Sequence, residues 1–219
     1  MSLSRSLSDQ IYAKLREQIL SGSLPAGSKL LLKDIQEQFS VSSTPARDAI
    51  NRLAQDRFVE YAANQGAKVI ELTAKDIREL LDLRCLCDCY ALEKIMQLSD
   101  RSEVIAELER SIAHQKHYHA LGTYEGHEYG EVCYNFHEIL TAHSGNSWLM
   151  NCASQYNSLL FLADARQKIN SYPQEAIDEH QAILDAIIQG DLALAVERLK
   201  SHRVCEETRF RLEDRPASL

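Results

Sequence analysis

Three histidines and one cysteine in the C-terminal part of the chain have residue types and a spacing that suit metal binding. Cys133 precedes His137 by four residues, so on a helix both side chains face the same way. His180 and His202 follow in two later segments. Imidazole nitrogen and thiolate sulfur are ligands that Zn²⁺ prefers. These four residues predict a divalent metal site inside a helical domain, with zinc as the metal and nickel as the alternative.

Apolar neighbours indicate that all three histidines point toward the domain interior. Each histidine shares a helical face with apolar residues: Phe136 and Leu140 for His137, Ile183, Leu184 and Ile187 for His180, and Ala195 and Leu199 for His202. A single inward histidine is usually a core residue with a hydrogen-bond partner. Three of them from three segments favour a shared ligand site. A histidine cluster that only stabilises the core remains the alternative.

Two carboxylates adjoin the candidate ligands and raise the question of catalysis. Glu138 follows His137 and Glu179 precedes His180. A histidine-bound metal with an open position can activate water. Consecutive residues of a helix project about 100° apart, however, so neither carboxylate is directed at the ion. We therefore expect a protein that is not an enzyme.

The candidate ligands lie in a part of the chain that predicts only helices. Thr73 can cap the first of these helices, with Asp76 in its first turn. Helical segments are predicted at 73–98, 102–120, 124–143, 146–170, 174–189 and 191–212, with glycine, proline or serine between most of them. Residues 73–219 are thus expected to form an all-α six-helix bundle.

Residues 1–72 predict a different domain. Ile11, Leu15 and Ile19 recur every four residues in a first helix at 8–21, and a short second helix is expected at 33–39. A third helix begins near Thr44 and Pro45. Two alternating runs at 58–61 and 68–72 flank Asn-Gln-Gly at 64–66, which is typical of a hairpin tip. Three helices followed by a hairpin predict a winged helix-turn-helix.

The third helix has the features of a DNA recognition helix. Serine and threonine occupy its capping positions, Pro45 its first turn, and Arg47 its exposed side. Hydroxyl groups and backbone amides at a helix N-terminus suit phosphate oxygens, and an arginine can read a guanine edge. The expected DNA-contacting residues are Lys33, Ser42, Ser43, Thr44, Arg47, Gln65 and Gly66. The alternative is a metal-stabilised winged-helix adaptor that binds proteins rather than operator DNA.

The charge distribution is compatible with DNA binding by the first domain alone. The chain of 219 residues has a formal net charge of −8. Residues 1–72 hold nine Lys and Arg against eight Asp and Glu, and the remainder holds 15 against 24. The acidity therefore belongs to the second domain. An apolar run long enough for a membrane helix and a secretory signal are both lacking, so we expect a soluble, cytoplasmic protein.

Six cysteines fit this compartment as reduced thiols rather than as a disulfide framework. Cys85, Cys87 and Cys89 fall in one predicted helix. Cys85 and Cys89 share a face while Cys87 points elsewhere, so the three cannot bind one ion without breaking the helix. We expect them to fill the core as small apolar residues.

Residues 11–69 resemble the N-terminal domain of the GntR superfamily of bacterial transcription regulators. The resemblance rests on Ile-Leu-Ser-Gly at 19–22, Pro-Ala-Gly at 25–27, Phe-Ser-Val-Ser-Ser-Thr-Pro-Ala-Arg-Asp-Ala at 39–49 and Asn-Gln-Gly-Ala-Lys-Val at 64–69. The later helices resemble the ligand-sensing FCD domain of the FadR-type branch, and their number is similar to that of the VanR-like subgroup. The resemblance covers nearly the whole chain and implies a regulator that binds operator DNA.

Individual residues take roles from this resemblance. Lys33 stands where the family usually has a DNA-contacting arginine, and Arg47 matches the arginine of the recognition helix. Ser43 replaces another common arginine, and Ala67 follows the wing glycine where some members have a basic residue. Because both replacements remove positive charge, we expect a narrow phosphate footprint and a modest salt dependence.

The resemblance also implies a metal site made of an Asp-x-x-x-His pair and two later histidines. His137, His180 and His202 fall on these positions, and Cys133 replaces the aspartate. Cys133 either binds the metal as a thiolate or stays protonated, which would leave three histidines and open positions for water or an effector.

Arg84 matches the arginine that the family directs into the effector cavity. Beside a metal, a guanidinium suits a small carboxylate effector. The alternative role for Arg84 is a salt bridge with Asp88, one helical turn away. A homodimer is expected as well, because one recognition helix reads only a half-site and a twofold pair reads a pseudo-palindrome.

Overall fold

The chain divides into two compact units, Met1–Leu72 and Thr73–Leu219, in a computed structural model. The structure describes residues 6–62, 66–122, 128–166 and 174–210. Within these ranges, the side chains at 62, 128–131, 133, 165 and 166 lie outside the description. Gln65, which is expected to contact DNA, and the side chain of Cys133, which is expected to bind a metal, therefore fall outside it.

The first unit has the predicted winged helix-turn-helix architecture. Its elements are α1 (Leu7–Leu20), β1 (Lys29–Leu30), α2 (Leu32–Phe39), α3 (Ser43–Gln55), β2 (Val59–Ala62) and β3 (Gly66–Val69). The three strands form an antiparallel sheet in the order β1-β3-β2. Strand β1 was not predicted, because two residues are too short for an alternating pattern.

The wing strands differ slightly from their prediction. Strand β3 begins at Gly66 and ends at Val69, instead of covering 68–72. Its register is set by pairing with β2, in which Tyr61 faces Ala67, and the apolar alternation alone does not reveal where that pairing ends. Gly66 has a φ of 79°, which is the left-handed region that glycine enters without strain.

The inner face of α3 packs into the apolar core of the first unit. Ala46, Ala49, Ile50 and Leu53 of α3 are buried, and α1 packs against α3 through residues such as Ile11. Two alanines at this contact allow the helices to approach closely. The opposite face and the N-terminal end of α3 are left to solvent.

In the second unit, the described residues form the six predicted helices. They are α4 (Ala74–Met96), α5 (Ser102–Leu121), α6 (Glu128–Ala142), α7 (Ser147–Arg166), α8 (Gln174–Gln189) and α9 (Leu192–Arg209). Thr73 caps α4 as expected, in a capping box with Asp76. Helix α9 packs against both α4 and α8. The helices that carry Arg84, His180 and His202 therefore lie together.

No helix in the described ranges combines the length and the apolar character that crossing a bilayer requires.

Candidate metal centre and nucleic-acid interface

The three predicted histidine ligands meet inside the helical unit. His137 of α6, His180 of α8 and His202 of α9 are each at most 2% exposed. One ring nitrogen of each lies within 4.8 Å of the others, and the ring centroids are 4.6 to 5.3 Å apart. The three histidines are therefore buried and close together, and their role as metal ligands stays a prediction.

Each histidine is oriented by a hydrogen bond at its Nδ1 atom. His137 Nδ1 lies 2.7 Å from Asp88 Oδ2, His180 Nδ1 2.9 Å from Gln115 Oε1, and His202 Nδ1 2.7 Å from Glu179 Oε2. All three partners are oxygen atoms, so an Nδ1–H group can donate to each of them. In that tautomer every Nε2 atom carries a lone pair, which is the usual arrangement of histidines that bind metals.

The Nε2 atoms of His137 and His202 have the separation that a tetrahedral ion requires. His137 Nε2 and His202 Nε2 lie 3.3 Å apart. Two Zn–N bonds of about 2.05 Å at the tetrahedral angle place their nitrogens about 3.3 Å apart. Two lone pairs at this distance repel each other unless a proton or a cation lies between them. The residues present therefore fit a divalent metal.

Packing around the cluster fixes the rings further. Phe136 stacks on His180 with ring centroids 4.2 Å apart and an angle of 11° between the ring planes. Arg209 donates two hydrogen bonds, of 3.1 and 2.9 Å, to the two oxygens of Glu179. A bidentate arginine holds the carboxylate plane, and Glu179 in turn holds His202.

Burial keeps the imidazoles neutral. It lowers the pKa of His137 and of His180 well below the usual 6.5. It also lowers the pKa of His202 to about 3, against the opposing effect of the hydrogen bond that His202 donates to Glu179. Because metals bind the neutral imidazole, the ligands need not lose a proton near pH 7.

The supporting carboxylates respond to the same environment in opposite ways. Burial raises the pKa of Asp88 to about 7, although Arg84 and His202 act against it. Burial also acts to raise the pKa of Glu179, but hydrogen bonds from His202 and Arg209 outweigh it and lower that pKa to about 2. Asp88 therefore changes charge near neutral pH while Glu179 stays ionised.

Arg84 lies at the edge of the cluster and is 2% exposed. Its Nη2 atom binds Glu206 Oε2 of α9, and its guanidinium lies 5.7 Å from the ring centroid of Tyr134. The alternative salt bridge with Asp88 is not formed, because Asp88 directs Oδ2 to His137 and its Oδ1 has no hydrogen-bond partner among the described residues.

Four residues of this site were not identified from the sequence as part of it: Asp88, Gln115, Glu179 and Glu206. Glu206 follows His202 by four residues, and this spacing could have revealed it. The sequence pattern indicated a role for Asp88 only as a partner of Arg84, and for Glu179 only as a carboxylate beside a catalytic metal. Gln115 reaches His180 across 65 positions of sequence, and no local pattern predicts such a pair.

Four of the predicted DNA-contacting residues lie in the N-terminal part of α3 or at its N-cap, whereas Lys33 lies on α2 and Gly66 begins β3. Ser42, Ser43, Thr44 and Arg47 are exposed. Ser42 is the N-cap residue by its backbone, but its side chain makes no capping hydrogen bond. The expected hydroxyl cap is therefore absent from the described structure, which leaves this hydroxyl and the first amides of α3 open to an anion.

The two cationic side chains of the predicted interface differ in their contacts. Arg47 has no ion pair with any residue in the described ranges. Lys33 Nζ, in contrast, lies 3.6 Å from Glu37 Oε1, one exposed turn further along α2. An exposed pair of this kind is weak and easily exchanged for a phosphate. Ala67 is 3% exposed and faces the core, so its lack of charge does not narrow the DNA-facing surface as the sequence had suggested.

Comparison with protein-family models identifies both units. Residues 7–69 match the model described as bacterial regulatory proteins of the gntR family, and residues 79–204 match the FCD domain. The FCD match alone spans more than half of the chain. The chain belongs to the GntR family of bacterial regulatory proteins and carries an FCD domain. It is accordingly a DNA-binding transcription regulator, as predicted, while its placement in the VanR-like subgroup stays a prediction.

Individual relatives have the same organisation. The HTH-type transcriptional regulator YdhC of Bacillus subtilis is 26% identical over 94% of this chain and 92% of its own length. The gluconate operon transcriptional repressor of the same organism is 25% identical over 94% and 84%. A GntR regulator from Rhodococcus sp. RHA1 has the same fold, with a TM-score of 0.76, 21% identity, and coverage of 96% of this chain and 100% of its own. These relatives are named as regulators and not as enzymes.

The pKa shifts predict how the stability of this GntR regulator depends on pH when no metal is bound. Below pH 6.5 the three histidines take up protons only after unfolding, since burial lowers their pKa in the folded chain. Asp88 and Asp164 act oppositely, because burial raises their folded pKa to about 7 and about 6. Between about pH 6 and 5 the unfolded chain binds about one more proton, and the free energy of unfolding should fall by roughly 1.4 kcal/mol per pH unit.

Urea denaturation of EDTA-treated protein across this pH range measures the slope. In the variant Asp88→Asn, one opposing carboxyl is removed, so the slope should increase to roughly 2.7 kcal/mol per pH unit. A free energy of unfolding that stays constant or rises as the pH falls would show that the histidines are not neutral in the folded chain.

Proposed function

We propose that this GntR regulator binds a divalent metal at His137, His180 and His202, and that the metal forms part of an effector site. The observation that carries this proposal is the convergence of three buried imidazoles whose Nδ1 partners are already in place. Three imidazoles suit zinc best, with nickel as the alternative. Cys133 would supply a fourth ligand as a thiolate, and otherwise that position would stay open to water or to the effector. The bound metal would supply a Lewis acid that attracts an anionic ligand.

A small organic acid is the effector that this site would suit. Arg84 is buried and positively charged, and an effector carboxylate could accept a charge-assisted hydrogen bond from it. Burial raises the pKa of Asp164 to about 6, and the positive charge of Arg84 opposes this shift. Arg84 therefore already lies near a second carboxyl group. One relative is named as the repressor of a gluconate operon, and an effector of the same acidic class is consistent with that name.

Operator recognition would use the N-terminal end of α3. Its exposed hydroxyl groups and free backbone amides suit phosphate oxygens, and Arg47 has the length and the donors for a guanine edge. Lys33 and the wing residues Gln65 and Gly66 would add contacts to the sugar-phosphate backbone.

A homodimer would read a pseudo-palindromic operator. Helix α4 has an exposed apolar row, Leu83, Leu86 and Tyr90, at helical spacing, and Leu86 is 70% exposed. The neighbouring helix α7 carries Trp148, which is 83% exposed. Apolar side chains of this size on a solvent-facing helix are typical of a subunit interface, so we assign the second copy to this face.

Regulation follows if the effector has different affinities for two arrangements of the dimer. The effector would then favour one arrangement, and operator affinity would change by the same coupling free energy. This proposal needs no catalytic step.

The metal proposal predicts that His137→Ala abolishes stoichiometric metal uptake. Loss of a direct ligand should weaken zinc binding by more than the roughly 10- to 100-fold that loss of a supporting hydrogen bond costs. The matched control is His143→Ala, just beyond the C-terminal end of α6, because His143 binds Glu107 and is not one of the cluster residues. Elemental analysis of untagged protein after zinc addition and dialysis measures the result. A wild-type chain without stoichiometric metal would refute the proposal.

Operator binding should depend on Arg47. The change Arg47→Ala should weaken binding to the cognate site by about 1–3 kcal/mol and relax its sequence preference. Fluorescence anisotropy with DNA from the regions that flank the gene provides the measurement. Lys14→Ala is the charge-matched control, because Lys14 pairs with Glu17 on α1 and lies outside the predicted interface. Equal losses for the two variants would leave no base-reading role for Arg47.

The dimer proposal predicts that Leu86→Asp shifts the protein to a monomer. A charge in the centre of an apolar interface must be desolvated without a partner, which strongly opposes association. Light scattering after size-exclusion chromatography measures the mass. Val204→Asp on α9, where Val204 is 58% exposed, should leave the dimer unchanged. A dimeric Leu86→Asp variant would place the interface elsewhere.

A further inference from the structure

Glu206 occupies an unusual position between the arginine and the histidines. Its Oε2 atom accepts a hydrogen bond from Arg84, and the same oxygen lies 3.5 Å from His202 Nε2. Glu206 follows His202 by one turn of α9, so the carboxylate reaches the cluster from the helix that supplies one of the ligands. Glu206 Oε2 thus contacts the buried guanidinium of Arg84 and lies beside His202 Nε2, which faces the proposed metal.

These two contacts are the ones that an effector carboxylate would make. An organic acid bound as proposed would accept a hydrogen bond from Arg84 and would place an oxygen beside the Nε2 atoms. Glu206 already provides both features, so the effector and Glu206 cannot occupy this place together.

Glu206 also has the exposure of a group that can leave. Its side chain is 14% exposed, compared with 3% for Arg84 and 2% for His202. Among the described residues, the group of mutually close donor atoms comprises the three histidines, and Glu206 stands at its edge. The carboxylate is therefore on the more open side of the site, next to the ligands and not enclosed by them.

We propose that Glu206 is a resident carboxylate that holds the effector's place on Arg84 and is displaced when an acidic effector binds. This inference rests on the proposed function and adds its regulation. Displacement exchanges one ion pair of Arg84 for another, so the buried guanidinium keeps an anionic partner throughout. A buried arginine without any anion would be strongly disfavoured, which is why the free protein needs such a group.

An internal competitor makes the site selective. A tethered carboxylate has a high effective concentration, so an acid that offers only one carboxylate displaces it poorly. An acid with a second oxygen donor beside the carboxylate can bind through both groups, whereas Glu206 offers only its carboxylate. The expected effector class is therefore 2-hydroxy or 2-oxo acids in preference to simple carboxylates.

The test compares Glu206→Gln with wild type, using cobalt-loaded protein and the matched probes acetate and glycolate, which differ by one hydroxyl group. The visible absorption of the bound cobalt reports metal content and ligand exchange, and calorimetry reports affinity. If Glu206 occupies the effector position for more than nine-tenths of the time, its removal should lower the dissociation constants of both acids at least about tenfold, with cobalt still bound. Wild type should prefer glycolate to acetate.

Glu207→Gln is the matched control, because it removes the same charge from the next residue of α9, which pairs with Arg78 and Arg203 instead. This variant should bind both acids as wild type does. Thermal melting gives a second measurement that does not depend on the metal: acetate should raise the melting temperature of Glu206→Gln more than that of Glu207→Gln, because it restores an anion to Arg84.

The outcomes separate this inference from the function on which it rests. Unchanged or weaker acid binding by Glu206→Gln overturns the placeholder role while leaving the metal and effector site intact. Loss of cobalt from this variant overturns it too, because Glu206 would then be a permanent ligand. A wild-type chain that binds neither cobalt nor acid overturns the proposed function together with this inference.

Discussion

Two imidazole nitrogens 3.3 Å apart in the interior of a helical bundle impose the main constraint on the second unit of this protein. With both Nδ1 atoms donating to carboxylates, both facing nitrogens carry lone pairs, and such an arrangement needs a cation between them. In the absence of a metal, a protonated Asp88 allows the alternative tautomer of His137, which donates through Nε2 to His202. The raised pKa of Asp88, about 7, is compatible with this state. The two facing nitrogens can thus be accommodated both with and without a metal.

This constraint explains why five of the six helices contribute polar groups to one place. Helices α6, α8 and α9 supply the imidazoles, whereas α4 and α5 supply Asp88 and Gln115 as partners. Burying so many polar atoms is costly unless each is paired, and a partly satisfied network is less stable than an apolar core. The positions of the helices are therefore specified by hydrogen bonds as well as by apolar packing. Such a site can respond to an anion because any new ligand must replace an existing contact.

The first unit has the opposite distribution of polar groups. Its α3 helix buries alanine, isoleucine and leucine and exposes serine, threonine and arginine, so the polar groups face solvent at one helix end. Ser42 leaves its hydroxyl uncommitted, and Arg47 forms no ion pair within the described ranges. Groups that are not engaged within the protein need little rearrangement before they contact a charged surface. This is the arrangement expected of a unit that binds DNA through phosphates and base edges.

The sequence by itself determined the helix and strand order, the winged helix-turn-helix, the six helices of the second unit and the inward direction of His137, His180 and His202. These features follow from local periods of 3.6 and 2 residues, from capping residues such as Thr73, and from glycine and proline between segments. Family resemblance added Arg84. Only the tertiary structure decided which oxygen holds each imidazole and that Arg84 pairs with Glu206 instead of Asp88. It also decided that β1 joins the sheet and that Ala67 faces the core. These contacts join residues far apart in sequence, and their partners depend on how helices and strands pack, which no local pattern encodes.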